Sequence, residues 1–565
     1  MKIILRPNFG RRVFLLVAFI GLAYIVGYLT AQHNLFPDRF LTKLDSRATA
    51  LIGGYALKGP REEASASSKV DTVFVNLQVD EIKVSISRKG SGGGLTSFDN
   101  ELLLLAHDGN IFLASEDTVV PTKIETPSNG YHDYVAASQS EKYKDLEHVH
   151  AWFRYNDILF YSDAGKHGLV ISYSEYFADK ECYGNTIARL ELPTGIDSIM
   201  DVQATRDDWA IIFRTQPCLP LKKQWRAIEG HIAGGRIAYR QPNKIVLGSG
   251  DYHWDGVFAP KALSQQADND YGKVLEIDLD SGATRKISIG HRNTQGVLID
   301  ANGQLWVTEH GPNGGDELNR IIEGENFGWP KQTLGTNYNL LPWPGIEEYG
   351  RHNRYRAPTY AWVPSVGISN LTQIEGFTPS WDGDLLAASL RGKSLFRLRV
   401  RGDAVIFAER IEFDERIRYA HQHTDGRIVL WTNSKKLLFI SLGAPTLVHA
   451  TIEKFIASSD YNLRQQQRLH SAIEICATCH SFEPNVHEGA PGLGAIFGSK
   501  IAATGFSNYS NALSSRTGSW TEDELSTFIR DPQAYAPGTS MPDPGVEDKD
   551  VINSIVRILK HINEE

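Results

Sequence analysis

The sequence predicts a mainly β chain: a six-bladed β-propeller, followed by a small all-α domain and preceded by one membrane-spanning helix. Three observations support this prediction. Short apolar runs alternate with Gly, Asp and Asn turns over residues 71–447, an amphipathic helical period replaces them towards the C-terminus, and an uncharged run stands near the N-terminus. Recurring strand-and-turn units are typical of propellers, whereas helices repeat apolar residues three or four positions apart.

The composition limits the function classes. The chain has 565 residues, 41% of them hydrophobic, which allows a large core and excludes wholesale disorder. The 58 Lys and Arg against 67 Asp and Glu give a net charge of −9, so the basic surplus typical of nucleic-acid binding is missing. Four cysteines are too few for a disulfide scaffold.

Residues 1–30 are interpreted as a membrane anchor. Four basic residues precede the uncharged run Val13–Leu29; they are Lys2, Arg6, Arg11 and Arg12. The run is long enough for one helix, and the positive flank orients the rest of the chain outward. A cleaved signal peptide is the alternative, although no clear Ala-x-Ala site follows Leu29. We therefore expect a single-pass protein of a bacterial inner membrane with periplasmic domains, where Cys182 and Cys218 could form a disulfide.

After a stalk assigned to residues 31–70, residues 71–447 are predicted to form the propeller. Each unit resembles a turn that enters a strand, often followed by a second turn and strand. The units begin near Asn100, Asn156, Asn243, Asn302, Gly383 and Gly426. This count favours six blades over seven. A pair of β-sandwiches is the alternative, but it would not explain the recurring unit.

Residues 448–467 are assigned to a linker and residues 468–565 to the α domain, which carries the motif Cys476-Ala477-Thr478-Cys479-His480. This spacing is typical of covalent haem c attachment, because two thiols one helical turn apart reach the two vinyl groups and His480 lies under the iron. A zinc site would need a second ligand pair, and no cysteine follows Cys479.

The second axial ligand of the haem is predicted from the small number of methionines in the α domain. Met541 is the only methionine of the α domain and stands in a Gly-Thr-Ser-Met-Pro loop, and His/Met ligation would raise the reduction potential. His487 and His470 remain alternatives. The order of the motifs, from CATCH through Gly489–Leu493 and WTEDEL to PGTSMP and a closing amphipathic helix, resembles a class I cytochrome c. That resemblance implies electron transfer through one covalent haem.

The propeller carries three further blocks: Arg292-Asn293-Thr294-Gln295-Gly296, the run His310–Asn319, and Asn326–Pro330. A loop of Gly and Pro carbonyls with an acidic pair suits Ca²⁺, which prefers oxygen ligands. Arg292 could clamp a carboxylate through its planar fork. A tight turn between blades with solvated charges is the alternative interpretation.

These blocks, in this order, resemble the soluble PQQ-dependent glucose or aldose sugar dehydrogenases, six-bladed propellers that oxidise sugars. The resemblance implies a catalytic base at His231 and PQQ contacts from Arg292, Asn293, Trp362, Arg391, Arg416 and Arg418. It implies active-site Ca²⁺ on the carbonyls of Gly311 and Pro312, and a structural Ca²⁺ near Asp316 and Glu317. Two positions depart from the family pattern. His231 stands one residue farther from its Gly-Arg pair, and Arg391 replaces a Lys, with Lys393 two places on.

The sequence therefore predicts a membrane-anchored periplasmic quinohaemoprotein dehydrogenase. It would oxidise a sugar or related alcohol with PQQ and pass electrons to its own haem, and from there to an acceptor in the periplasm or membrane. One alternative is a propeller without PQQ that serves as a binding module with a haem tail. Another is a dehydrogenase of a different substrate, by a lactone-forming or sorbosone-like aldehyde oxidation.

Overall fold

The computed structural model describes residues 66–143, 153–163, 165–221, 231–347 and 351–564. The anchor predicted at Val13–Leu29 and most of the predicted stalk lie outside these residues, so both stay predictions. Within the described ranges, no helix is long and apolar enough to cross a membrane.

Most strands belong to six antiparallel sheets arranged as the blades of a propeller, which confirms the predicted fold. In chain order the strands are β1 (Ala66–Asp71), β2 (Asn76–Lys83), β3 (Gly93–Phe98), β4 (Glu101–Ala106), β5 (Ile111–Ala114), β6 (Val119–Pro121), β7 (Lys123–Ile124), β8 (Tyr155–Asp163), β9 (Lys166–Phe177), β10 (Cys182–Glu191), β11 (Gln203–Ala204), β12 (Ala210–Arg214), β13 (Leu219–Pro220), β14 (Gly234–Arg240), β15 (Lys244–Ser249), β16 (Lys273–Asp278), β17 (Thr284–Ile289), β18 (Thr294–Ile299), β19 (Leu305–Glu309), β20 (Asp316–Arg320), β21 (Tyr360–Trp362), β22 (Ile368–Gln373), β23 (Leu385–Ser389), β24 (Ser394–Arg401), β25 (Ala404–Glu412), β26 (Ile417–Gln422), β27 (Ile428–Thr432) and β28 (Lys436–Leu442).

Blades 1 to 6 are numbered by their innermost strands, which are β3, β8, β14, β18, β22 and β26. Neighbouring innermost strands contact each other around a closed ring. Blade 6 closes the ring because it combines the last three strands of the propeller, β26, β27 and β28, with its first two strands in the chain, β1 and β2. Since β1 begins at Ala66, the last residues assigned to the stalk belong to this blade.

The apolar runs of the sequence are continuous because both faces of a blade are covered. In β4, Leu102 and Leu104 pack into the apolar cluster shared with blade 6. Leu103 and Leu105 pack into the cluster shared with blade 2. Successive side chains of a strand point to opposite faces, so a strand between two neighbours is apolar at every position.

Eight-residue helix α1 (Tyr131–Ser138) lies between blades 1 and 2 in the chain, and six helices follow the propeller. They are α2 (Leu447–Ser458), α3 (Leu463–Ala477), α4 (Asn511–Ser514), α5 (Glu522–Arg530), α6 (Pro532–Tyr535) and α7 (Lys549–Glu564). Thr521 caps α5, since its hydroxyl accepts from the amide of Glu524. Val448, Ile452 and Ile456 belong to the core of the α domain. The segment assigned to a linker is thus largely helical.

Cys182 and Cys218 form a disulfide with a Cα–Cα distance of 5.6 Å. Cys182 begins β10 and Cys218 directly precedes β13, which pairs with β10. The pairing that the sequence left open is therefore present.

One buried guanidinium joins the ring of innermost strands. Arg236 of β14 is 4% exposed. It donates to main-chain carbonyls of four other blades: Gly93 at 2.8 Å, Asn156 at 2.7 Å, Gln295 at 3.1 Å and Arg418 at 3.3 Å. Asp157 supplies the counter-charge at 3.5 Å, and the ring of Tyr419 lies 4.7 Å from the guanidinium carbon.

We expect Arg236→Met to lower the free energy of unfolding by about 3–5 kcal/mol, because it leaves the buried Asp157 carboxylate and the carbonyls without their donor. Thermal and denaturant unfolding of the whole chain would measure the loss. Arg240→Met on the same strand, whose side chain reaches the partly exposed surface to pair with Glu276, is the matched control. Equal effects of the two substitutions would contradict a central role for Arg236.

Candidate functional site

The residues predicted to bind PQQ gather where the innermost strands begin, an end of the propeller that we call the upper face. Arg292 and Asn293 directly precede β18, and Arg416 directly precedes β26. His231 stands three residues before β14. The amide of Gly234 donates to Asn293 Oδ1 at 3.3 Å, which brings the starts of β14 and β18 together.

Arg292 contacts the loop predicted to hold calcium. Its Nη1 donates to the carbonyls of His310 at 3.1 Å and Gly311 at 2.9 Å. Its main-chain amide donates to Glu309 Oε2 at 2.7 Å, and its guanidinium lies 5.2 Å from the ring of Trp329. The carbonyl oxygen of Gly311 thus accepts from Arg292, and a Ca²⁺ ion at the same oxygen would use its second lone pair.

Three histidines meet beside Arg292. His231 Nδ1 lies 3.3 Å from His253 Nε2. Burial, followed by the nearby His253 and Arg292, holds the pKa of His231 well below its usual range. His310 Nδ1 lies 3.2 Å from Asn293 Nδ2, whereas its buried Nε2 has no hydrogen-bond partner among the described residues. His231 is therefore neutral at pH 7 and able to accept a proton.

Arginines also crowd the upper face. Burial, followed by Arg154, Arg236 and Arg416, lowers the pKa of Arg418 well below its usual range. Burial and then Arg236 lower the pKa of Arg154 to about 10. The side-chain partners of Arg418 are Asn433 Oδ1 at 3.1 Å and Ser91 Oγ at 3.4 Å.

Arg154 likewise meets neutral oxygens, with the Ser91 carbonyl at 2.7 Å and Asn156 Oδ1 at 3.4 Å. Within the described ranges, neither Arg154 nor Arg418 pairs with a carboxylate. A charge withdrawn from water ordinarily has a partner of opposite sign, so the buried Arg418 and the half-buried Arg154 fit a site for an anion.

The carboxylates of Asp316 and Glu317 both accept hydrogen bonds from other groups of the protein. Asp316 accepts from the amides of Gly311 at 3.1 Å, Val366 at 3.0 Å and Ile368 at 3.0 Å, and from the hydroxyl of Ser365. Burial, with Glu309 and Asp316 adding to it, raises the pKa of Glu317 well above its usual range. The hydrogen bonds of Asp316 fix the 311 and 366 loops, and the structural calcium site implied by the resemblance stays a prediction.

Two further predicted cofactor contacts lie around this loop. Trp362 is 5% exposed, and its ring packs against Phe396 with centroids 5.6 Å apart in the apolar cluster between blades 4 and 5. Trp362 thus has a packing role. Arg391 is exposed in the turn between β23 and β24, whereas Lys393 forms an ion pair with Asp414 at 2.6 Å. Arg391 is therefore the cation of this turn that is left for a ligand.

The haem motif lies at the end of α3. His480 Nδ1 lies 2.6 Å from the carbonyl of Pro491, and a proton donated there leaves Nε2 for iron. Cys476 lies in the last turn of α3, where burial raises the pKa of its thiol to about 12. Met541 packs half-buried against the core of the α domain. Cys476, Cys479, His480 and Met541 stay the predicted haem residues.

The alternative axial ligands differ from His480 in their contacts. His487 Nδ1 accepts from the amide of Gly492 at 2.9 Å, so the proton of the neutral ring stays on Nε2, the nitrogen that iron would need. His470 is buried in α3, and its Nδ1 lies 3.4 Å from Glu453 Oε1. Across the part of the chain that the structure describes, no group of three or more His, Cys, Asp or Glu side chains is placed to hold a metal ion.

Residues 97–439 match the family model described as glucose/sorbosone dehydrogenase. The chain belongs to the glucose/sorbosone dehydrogenase family. An aldose sugar dehydrogenase of Escherichia coli, YliI, is 27% identical over 274 residues, which cover 44% of this chain and 68% of that protein. The match to an uncharacterized Synechocystis protein, 29% identical over 247 residues, spans 57% of its length and 40% of this chain.

The C-terminal part is homologous to cytochrome c. The cytochrome c2 of Blastochloris viridis is 32% identical over 91 residues, which are 16% of this chain and 72% of that protein. For the propeller, a solved glucose dehydrogenase superposes with a TM-score of 0.50 at 24% identity, covering 65% of this chain and 99% of that one. This last likeness shows the shared fold. The chain is thus a propeller of the glucose/sorbosone dehydrogenase family fused to a cytochrome c domain.

Sequence reasoning found the chain-adjacent motifs of this site and missed its partners from other blades. Arg154 and His253 come from blades 2 and 3 or their loops, and no local pattern marks them. His310 opens the block His310–Asn319 in the same blade as Arg292, but no role was predicted for it.

We expect Asp316→Ala to lower the free energy of unfolding by about 2–4 kcal/mol, since three main-chain amides lose a charged acceptor. The same substitution at the exposed Glu325 in the loop after β20 is the control, with an expected change below about 0.5 kcal/mol. Chemical denaturation would measure both. A change at Asp316 as small as that at Glu325 would show that the loops hold without the carboxylate.

Proposed function

We propose that the protein is a PQQ-dependent dehydrogenase of a sugar or related alcohol that passes electrons to a haem c in its own cytochrome domain. The observation that carries this proposal is a pair of guanidinium groups, those of the half-buried Arg154 and the buried Arg418, that form no ion pair with a carboxylate among the described residues. Both lie in the charged surroundings of His231 and Arg292. An anionic ligand and a proton acceptor are thus accommodated at one end of the propeller.

The residues of the upper face fit PQQ, whose three carboxylates need cationic partners. Arg154 and Arg418 would bind carboxylates deep in the site, while Arg416 and Arg391 stand exposed nearer the rim. When bound, PQQ supplies the acceptor for the two electrons removed from the substrate. Ca²⁺ would bind the carbonyls of Gly311 and Pro312, the loop that already presents an oxygen to the Arg292 cation.

His231 would act as the general base. As the carbon of a sugar C–OH group gives up a hydride to the bound acceptor, His231 takes the hydroxyl proton, and the substrate leaves as a carbonyl compound or lactone. The low pKa of His231 keeps it ready at neutral pH, and its contact with His253 fixes the ring.

The cytochrome domain would carry the electrons away one at a time. Cys476 and Cys479 would attach the haem, His480 and Met541 would bind its iron, and the haem would supply one-electron redox chemistry. We further propose that the chain works in the bacterial periplasm, held by the predicted anchor at Val13–Leu29. The Cys182–Cys218 disulfide supports an oxidising compartment.

Arg418→Gln and His231→Gln should separate cofactor binding from chemistry. We expect Arg418→Gln to weaken PQQ binding at least tenfold, because a buried charge-assisted bond is lost, and to leave the stability of the PQQ-free protein unchanged or higher. His231→Gln should keep the PQQ affinity and lower sugar turnover about 10²–10⁴-fold.

Calorimetry with Ca²⁺ and a dye-linked sugar assay would measure the two effects, with the surface variant Arg410→Gln as control. A wild-type protein that binds no PQQ would favour the alternative of a binding module. Undiminished turnover in His231→Gln would remove His231 from the mechanism.

The haem assignment makes a separate prediction. A Cys476→Ala/Cys479→Ala variant should lose the haem band on a denaturing gel stained for peroxidase activity, because no thioether bonds can form. Met541→Ala should keep that band, lower the reduction potential and disturb the low-spin spectrum, whereas His487→Ala should leave the spectrum as it is. A persistent band in the double variant, or an unchanged spectrum in Met541→Ala, would refute the respective role.

A further inference from the structure

A buried cluster of five charged side chains joins the propeller to the helix that carries the haem motif. Arg397 and Arg399 lie on β24, Asp384 directly precedes β23, Glu409 lies on β25, and Glu474 lies on α3. The Arg397 and Glu474 side chains are both 0% exposed. Glu474 stands two residues before Cys476, so the cluster lies next to the haem attachment site in the chain.

The contacts hold Glu474 between two arginines. Arg399 makes a bidentate contact with Asp384, at 2.9 and 2.8 Å, and its Nη2 donates to Glu474 Oε2 at 2.6 Å. Arg397 donates to Glu409 at 2.8 Å, to Asp384 at 2.9 Å and to Glu474 at 3.1 Å. The propeller contributes two arginines and two carboxylates to the cluster. Glu474, on the helix that carries the haem motif, adds a third carboxylate.

Apolar side chains exclude water around the cluster. The guanidinium carbon of Arg397 lies 4.8 Å from the ring of Trp381 and 4.6 Å from the ring of Phe407. Phe74, between β1 and β2, packs against both the propeller core and the α-domain core, and its ring lies 4.3 Å from that of His449. Ion pairs are strong in such surroundings and costly to break.

The order of the contacts gives the direction of α3. Gln467 Nε2 lies 3.4 Å from Asp382 Oδ2, in the loop before β23. Ser471 Oγ accepts from Arg399 at 3.0 Å, and Glu474 accepts from Arg397. Because β23 pairs antiparallel with β24, Asp382 lies beside the end of β24. From Gln467 through Ser471 to Glu474, the contacts of α3 therefore move from the end of β24 towards its start, so α3 and β24 run antiparallel. The haem end of α3 therefore lies towards the start of β24.

The start of β24 belongs to the upper face. The turn before it carries Arg391, whose amide donates to the Val366 carbonyl at 2.9 Å. The amide of Val366 in turn donates to Asp316, the carboxylate that fixes the Gly311 loop. The haem motif and the candidate PQQ site thus lie towards the same end of the propeller.

We propose that Glu474 is a docking residue: the buried ion cluster fixes the cytochrome domain on blade 5 with its haem end towards the upper face. Electron transfer then takes place within one fixed arrangement rather than by diffusion of a tethered domain. The docking itself is independent of the catalytic assignment, whereas its consequence for electron transfer rests on the proposed function.

Glu474→Arg tests the docking, because it places a third cation against Arg397 and Arg399. The matched control is Glu547→Arg, the same change of charge at an exposed position of the same domain. Hydrogen exchange of the full haem-loaded chain, without PQQ or sugar, should show at least tenfold faster exchange in β24, β25 and α3 for Glu474→Arg alone. The low-spin haem spectrum should stay unchanged in both variants.

Glu474→Gln serves as a milder substitution if Glu474→Arg fails to fold, and it should change the same segments by a smaller factor. Exchange in these segments that stays as slow as in the wild-type protein would overturn the docking role.

Stopped-flow reduction of the haem by sugar, in PQQ-loaded protein, tests the consequence. Wild-type haem reduction should be independent of protein concentration and of added viscogen. Glu474→Arg should be at least tenfold slower and sensitive to viscogen, with dye-linked sugar turnover unchanged. Loss of protection with an unchanged haem reduction rate would overturn the role in electron transfer. No haem reduction in any variant would refute the proposed function and leave the exchange result to decide the docking.

Discussion

The propeller depends on the contacts of one buried cation at its axis. Arg236 donates to carbonyls at the starts of four other innermost strands, so five of the six blades are joined by a single side chain. Burial raises the pKa of Asp157 to about 6 despite the attraction of Arg236. The main-chain carbonyls therefore contribute much of the stabilisation of the buried Arg236 guanidinium. The same contacts fix the strand starts, and with them the positions from which the candidate site is built.

Buried arginines serve three different purposes in this chain, and their partners distinguish them. Arg236 is satisfied by carbonyls and one carboxylate, which suits a structural role. Arg154 and Arg418 meet only neutral oxygens within the described residues, which suits an anionic ligand. Arg397 and Arg399 face three carboxylates, one of them from another domain, which suits docking. All of these residues are arginines, so the number of carboxylates around each guanidinium distinguishes the three roles.

The sequence was sufficient wherever the chemistry depends on residues close together in the chain. The Cys476–His480 motif and the strand-and-turn period are local patterns, and each lies where it was expected. Arg418 was predicted from the resemblance, but Arg154 was not, because it directly precedes β8 in blade 2 and no motif connects it with β26. Asp316 was assigned to calcium from its place in a motif, yet its oxygens accept from main-chain amides that only the fold brings near.

The connection between the propeller and the cytochrome domain also depends on contacts that local sequence patterns do not reveal. The sequence predicts a linker over residues 448–467, but α2 packs Val448, Ile452 and Ile456 into the core of the cytochrome domain. Only residues 443–446 separate β28 from α2. A connection of four residues limits the reach of the domain, and the ion cluster on blade 5 then fixes its orientation. Under the proposed function, in which electrons pass from the propeller to the haem, such a connection would replace diffusion of the domain with a single distance set by the fold.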